Sequence, residues 1–132
     1  MSCITLRALG GGASIGANCY LLEYDGQQLL LDCGLHPKKE GLEALPDFSP
    51  LHRSPLAVII SHGHVDHCGA LPWLLRKFRE TDCYTTAPTV SIMNCMLHNS
   101  VTVMETLAIE RGIREYPLYC HEDVAAGVET GL

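Results

Sequence analysis

HGHVDH, residues 62–67, decides the fold of this chain, and it directly follows the apolar run LAVIIS at residues 56–61. The run is typical of a buried strand, which would give the histidines and the aspartate a rigid base. Residues two apart in an extended segment point to the same side, so His62 and His64 can reach one metal ion. The two remaining ligands follow where the chain turns, and they can reach a second ion nearby.

The ligand types indicate which metals would bind. Imidazole and carboxylate groups together suit zinc, and also manganese or iron. A chance histidine-rich loop is the alternative, but a complete HxHxDH pattern after an apolar strand favours a metal site. We therefore predict four ligands, with Asp66 also serving as a catalytic group: His62, His64, Asp66 and His67.

Around this motif, the chain resembles the metallo-β-lactamase superfamily. HGHVDH is similar to its second motif, and LLDCG at residues 30–34 is similar to its first motif, in which an aspartate closes a buried strand. The similarity is greatest to the β-CASP branch, whose opening loop often carries glutamate where this chain has Ser14. The segments that carry the likeness to this branch are residues 9–12, 15–22, 67–72, 84–89, 117–119 and 122–124.

This resemblance implies an α/β fold, the N-terminal half of an αββα sandwich. It implies two zinc ions, one on His62 and His64 and the other on Asp66 and His67, with a bridging hydroxide that attacks a phosphodiester bond. Asp32 would not touch metal but would orient the ligand loop. The residues alone leave a second interpretation of Asp32 equally open, a turn former at the end of a strand.

The resemblance also implies a function. β-CASP proteins are mainly ribonucleases, including bacterial ribonucleases of the RNase J type and messenger-RNA 3′-end processing factors, so RNA is the expected substrate, cleaved either internally or from an end. Residues 1–132 are expected to form a partial domain, because the third motif and the β-CASP cap are absent from them, and to be a poor catalyst alone. Two alternatives remain, a hydrolase of small thioesters or lactams and a non-catalytic half-domain that docks or self-associates.

Composition limits the other possibilities. The 132 residues are 47% hydrophobic and 18% charged, which favours one globular domain over disorder. The net charge of −6 argues against a module that binds RNA through phosphate contacts alone. No apolar run reaches the roughly 20 residues of a membrane span, and no signal peptide is evident. We therefore expect a cytoplasmic protein with no membrane partner.

The cysteines support the same compartment. Their number, seven, is odd and they form no CxxC pair, so free thiols in a reducing environment are favoured over a disulfide framework. Cys68 follows the last ligand of the motif directly. We predict that it is a core thiol rather than a metal ligand.

The periodicity of the chain predicts its secondary structure. Asp25-Gly26 signals a hairpin turn, and residues 34–55 are expected to form a long loop with one helical turn around Leu42. The remaining elements are strands at residues 2–8, 18–24, 28–32, 56–61 and 83–85, and helices at residues 68–78, 87–111 and 121–132.

Two of the predicted helices carry distinctive surface features. The second helix has an apolar stripe, part of which a partial domain would leave uncovered, with His98 on a solvent-exposed face. Basic residues lie at the end of the first helix. They could bind a phosphate backbone, but the favoured interpretation is a solvated last turn that complements the helix dipole. The stripe comprises Val90, Met93, Leu97, Val101, Met104 and Ala108, and the basic residues are Arg76, Lys77 and Arg79.

Overall fold

The structure is a computed structural model that describes residues 3–12 and 16–129. Ser14, where the chain departs from the β-CASP pattern, lies outside the described residues. So do residue 2 of the first predicted strand and residues 130–132 of the last predicted helix.

Five strands form one mixed sheet in the order β1-β2-β3-β4-β5. The first three pair antiparallel, and β3, β4 and β5 pair parallel. The predicted α/β class is confirmed, although the first strand lies two residues later than predicted and the fourth is half as long. The strands are β1 (Ile4–Gly10), β2 (Cys19–Tyr24), β3 (Gln27–Leu31), β4 (Ala57–Ile59) and β5 (Asp82–Tyr84).

The turn between β2 and β3 has the geometry that the sequence predicts. Asp25 and Gly26 have φ angles of 51° and 79°. Positive φ at both central residues is the requirement of a type I′ turn, whose twist matches that of the flanking strands. Between β3 and β4, the long loop contains a single 3₁₀ turn at Gly41–Ala44, as expected around Leu42.

Four helices complete the part of the chain that the structure describes, and the prediction of one helix over residues 68–78 is wrong. Two short helices replace it, because the backbone N–H of Ala70 donates to the carbonyl oxygen of Cys33 (3.0 Å) instead of continuing the first helix. Pro72 lies in the first turn of the second helix, where its missing N–H costs nothing. The helices are α1 (Val65–Cys68), α2 (Leu71–Lys77), α3 (Ala87–Arg111) and α4 (His121–Glu129).

The bounds of α3 are those predicted. Thr86 caps its start, its side chain accepting a hydrogen bond from the backbone N–H of Thr89, and Gly112 ends it with a φ of 64°. Its apolar stripe is buried rather than uncovered, which corrects our expectation. Met93, Leu97, Val101 and Met104 are fully buried, and Val90 and Ala108 are half-buried.

The core lies on one face of the sheet only. Leu21, Leu30 and Val58 point to that face and are completely buried with the stripe of α3. On the opposite face, Ile4 and Leu6 are 69% and 63% exposed. The predicted half-sandwich has this arrangement, in which helices cover one face of the sheet and the other face is open. Further exposed apolar residues on the open face are Tyr24, Ile59 and Tyr84.

The segment before α4 is held in the core by Tyr119. Its hydroxyl donates a 2.7 Å hydrogen bond to the carbonyl oxygen of Gly69, and its side chain is 1% exposed. Burial raises the pKa of this phenol, so it remains protonated and able to donate. Tyr119 therefore links the last helix to the turn between α1 and α2.

Replacing Tyr119 by phenylalanine should lower the free energy of unfolding by about 1–3 kcal/mol, because the buried carbonyl of Gly69 loses its donor. Urea denaturation followed by circular dichroism measures the change. The matched control is Tyr84→Phe on the open face, which should stay within about 0.5 kcal/mol of the wild type. Equal stability of the two variants would contradict the role of the buried hydroxyl.

Candidate metal centre

The end of β4 and helix α1 bring three of the four predicted ligands together. One ligand atom from each of His62, Asp66 and His67 lies within 4.8 Å of the others. The rings of His62 and His67 are 3.8 Å apart between centroids. All three residues are half-buried, so the group is accessible from solvent while its backbone is fixed by the sheet.

His64 lies at the edge of this group. It is exposed, precedes the first turn of α1, and its ring meets that of His62 edge-on with centroids 5.0 Å apart. Among the described residues, the close group thus takes members from both predicted pairs. The division into one ion on His62 and His64 and another on Asp66 and His67 stays a prediction.

Asp32 makes three contacts that hold the ligand loop. Its Oδ1 accepts from the backbone N–H of Ser61 (2.7 Å), and its Oδ2 lies 2.8 Å from both Ser61 Oγ and His67 Nδ1. The residue directly follows β3 and has a φ of 63°, a left-handed conformation that aspartate tolerates. Asp32 can therefore both form the turn after β3 and hold the ligand loop.

The contact to Asp32 also determines which nitrogen of His67 faces the group. In the tautomer that donates from Nδ1, the Nε2 atom is unprotonated and acts as an acceptor. That atom lies 3.5 Å from Asp66 Oδ2, which is also an acceptor. Two acceptors in this position repel unless a proton or a metal ion lies between them, so the donor set fits a metal ion.

Asn18 belongs to the same site, and the sequence analysis did not identify it. Its backbone N–H and its side-chain amide both donate to the carbonyl oxygen of Asp66, each at 3.0 Å. Its Nδ2 also lies 3.4 Å from His67 Nε2. The only signal in the sequence is a polar residue at the start of an apolar strand, which does not by itself indicate a site.

Two glycines allow the loop to pack closely. A Cβ atom on Gly34 would overlap the carbonyl oxygen of Asp66. A Cβ atom on Gly63 would lie 2.6 Å from Ile92 Cγ2, because α3 packs directly on the ligand loop. The first and second motifs are thus in backbone contact through Gly34.

Cys68 is a core thiol, as predicted. It is completely buried, and its Sγ donates to the carbonyl oxygen of Gly63 (3.4 Å). Burial, together with the nearby charges of Asp32 and Asp66, raises the pKa of this thiol to about 12, which opposes formation of the thiolate that a metal would need. All seven cysteines are free, which confirms that prediction.

The basic residues at the end of α2 are exposed, as predicted, and one of them, Arg76, also contacts the segment around α4. Its guanidinium donates to Asp123 on α4 (3.2 Å) and to the carbonyl oxygen of Leu118 (2.9 Å). Burial raises the pKa of Asp123, but hydrogen bonds from Cys120 and the charge of Arg76 outweigh it and lower the pKa overall. Arg76 therefore serves to attach α4.

Comparison with known proteins defines the class. Residues 15–121 match the sequence profile of the metallo-beta-lactamase superfamily. The chain belongs to this superfamily, and the predicted resemblance is confirmed. Within the described residues, no helix is long and apolar enough to cross a membrane. The cytoplasmic location stays a prediction.

Individual relatives are β-CASP members. The chain is 34% identical over 128 residues to "Cleavage and polyadenylation specificity factor 73" of Drosophila melanogaster, covering 96% of this chain and 18% of that protein. It is 39% identical over 105 residues to "Endoribonuclease ysh1" of Aspergillus fumigatus, covering 78% of this chain and 12% of that protein. The chain thus spans less than a fifth of the length of these relatives.

One solved structure to which the chain is similar is that of an archaeal metallo-beta-lactamase superfamily protein, ST1585 from Sulfolobus tokodaii. The TM-score is 0.47 at 19% identity, over 81% of this chain and 42% of that chain.

Proposed function

We propose that this chain carries part of the active centre of a metal-dependent ribonuclease that acts in RNA processing. The observation that carries the proposal is the group of His62, Asp66 and His67, held by Asp32 at the ends of two parallel strands. The relatives named above, one of which is called an endoribonuclease, support RNA as the substrate.

The residues of the site have distinct roles in this proposal. His62, Asp66 and His67 would hold one divalent ion, and exposed His64 would contribute to a second ion. A bound divalent ion supplies a nucleophilic water at neutral pH and stabilises negative charge on the phosphate oxygens. Asp32 keeps the proton of His67 on Nδ1, and Asn18 holds the backbone of Asp66.

The metal in this proposal is zinc, with manganese and iron as alternatives, because imidazole and carboxylate ligands accept all three. The site needs this positive charge to bind RNA, since the chain as a whole carries a net charge of −6. A metal pair inverts the local field without changing the repulsion elsewhere on the surface.

We also propose that residues 1–132 form only part of a larger domain. The open face of the sheet supports this, since Ile4, Leu6 and Tyr84 are each more than half exposed. Exposed apolar patches of this kind mark a surface that another element covers. By itself the chain would be a weak catalyst, and this face would favour self-association or docking.

RNA cleavage tests the proposed function. The protein that carries this chain, purified with zinc, should cleave single-stranded RNA, and His67→Ala should lower the rate by at least about 100-fold, since it removes both a ligand and the contact to Asp32. The matched control is His52→Ala, an exposed histidine on the loop before β4.

Two outcomes would contradict the proposal. If His67→Ala cleaved RNA at the wild-type rate, the activity would not depend on this site. Hydrolysis of a small thioester or lactam by the wild type, with RNA left intact, would favour the alternative class of hydrolase.

A further inference from the structure

A second pair of imidazoles lies outside the candidate metal centre, where α4 begins beside α3. His98 Nδ1 and His121 Nδ1 are 2.8 Å apart. The two rings are stacked, with centroids 5.0 Å apart and planes inclined by 21°. His98 is half-buried on α3, and His121 is the exposed first residue of α4.

The two facing nitrogens cannot both carry a proton at this distance, so one donates a hydrogen bond and the other, which is unprotonated, accepts it. Glu105 indicates which one. Its Oε1 lies 3.9 Å from Nε2 of His121, which is beyond hydrogen-bond distance, but its negative charge favours a proton on that nitrogen. The Nδ1 atom of His121 is then unprotonated and points at His98. Zinc-binding histidines commonly donate their second ring N–H to a carboxylate, and Glu105 is placed to accept that bond after a small side-chain movement.

We propose that His98 and His121 form a second metal site, which binds zinc through the two Nδ1 atoms, with Glu105 as a positioning residue for His121. Two nitrogens bound to one tetrahedral zinc at about 2.0–2.1 Å lie about 3.3 Å apart. The two rings need to separate by roughly half an ångström from their distance in the structure. The exposed side chain of His121 permits this movement, and water would complete the coordination.

The site would connect α3 and α4, and α4 is also held in place by contacts that do not involve the two histidines. Val124 is completely buried, and the pair of Arg76 with Asp123 spans 3.2 Å. These contacts place His121 beside His98 without help from a metal, so the site is pre-organised. Zinc would then act as a clamp that restrains the first turn of α4 against α3.

The proposal is tested by titrating the untagged protein with zinc alone in a calorimeter. The parent for the test is the double variant His62→Ala/His67→Ala, which removes two ligands of the first centre. It should still bind one zinc ion. Adding His98→Ala or His121→Ala should weaken this binding at least about tenfold, equivalent to ~1.4 kcal/mol. Adding His52→Ala, the matched control, should leave it unchanged.

A second measurement, amide hydrogen exchange, distinguishes a loss of zinc ligands from a loss of folding in the variants. Amide hydrogen exchange in the first turn of α4 should become slower when zinc is added to the parent, and the effect should be absent with His98→Ala. The proposal is wrong if the parent binds no zinc, or if its affinity is the same with and without His98. Because the first centre is disabled throughout, neither result depends on the proposed ribonuclease function.

Discussion

Replacing Asp66 by alanine should weaken zinc binding at the candidate centre by more than about 100-fold, beyond the 10- to 100-fold loss typical of an orienting partner. The change removes the only carboxylate of the group formed with His62 and His67. It also removes the acceptor that faces His67 Nε2 at 3.5 Å. Competition with a chromogenic chelator, in a His98→Ala background, measures the first centre alone.

The fold should survive this substitution, because Asp66 supports the structure through its backbone. Its carbonyl oxygen accepts both hydrogen bonds from Asn18, and alanine retains that carbonyl. Without metal, the thermal unfolding of Asp66→Ala should therefore match that of the wild type. The control is Asp82→Ala on β5, an exposed aspartate, which should bind zinc normally. Wild-type affinity in Asp66→Ala would remove this residue from the ligand set.

Sequence reasoning succeeded where the determinants are local. The Asp25-Gly26 turn and the bounds of α3 depend on conformations that two or three residues prefer by themselves. Both appear where they were predicted. The HxHxDH motif is local in the same sense, because six consecutive residues supply all the candidate ligands.

Prediction from sequence failed where a group far away in the chain determines the local structure. The break between α1 and α2 depends on the carbonyl of Cys33, which lies 37 positions before Ala70. The contacts of Asn18 with Asp66 and His67 span 48 and 49 positions. The contact of His98 with His121 requires α4 to fold back on α3. Residue spacing in the sequence does not predict these long-range contacts, because they result from the packing of the folded chain.

A substitution at Asp32 changes the orientation of the ligand His67 without removing it. Asp32→Asn should weaken zinc binding about 10- to 100-fold, as loss of an orienting partner usually does. Asparagine tolerates the left-handed backbone at this position, with its φ of 63°, as well as aspartate does. The turn at the end of β3 should therefore remain.

The expected loss has a specific cause. With an amide in place of Oδ2, an N–H group would face the donating Nδ1 of His67, 2.8 Å away in the wild type. The ring would then carry its proton on Nε2, the nitrogen that faces Asp66, and that nitrogen could no longer bind a metal. Nitrogen-15 NMR of the imidazole reports this change of tautomer directly.

Ser61→Ala is the matched control, because it removes one hydrogen bond to Asp32 without touching His67. It should change zinc affinity much less than Asp32→Asn and should leave the tautomer of His67 as in the wild type. If Asp32→Asn instead retained both the tautomer and the affinity, Asp32 would be only a turn former. If it lost the affinity with the tautomer unchanged, the residue would act on the loop through Ser61 rather than on the ring.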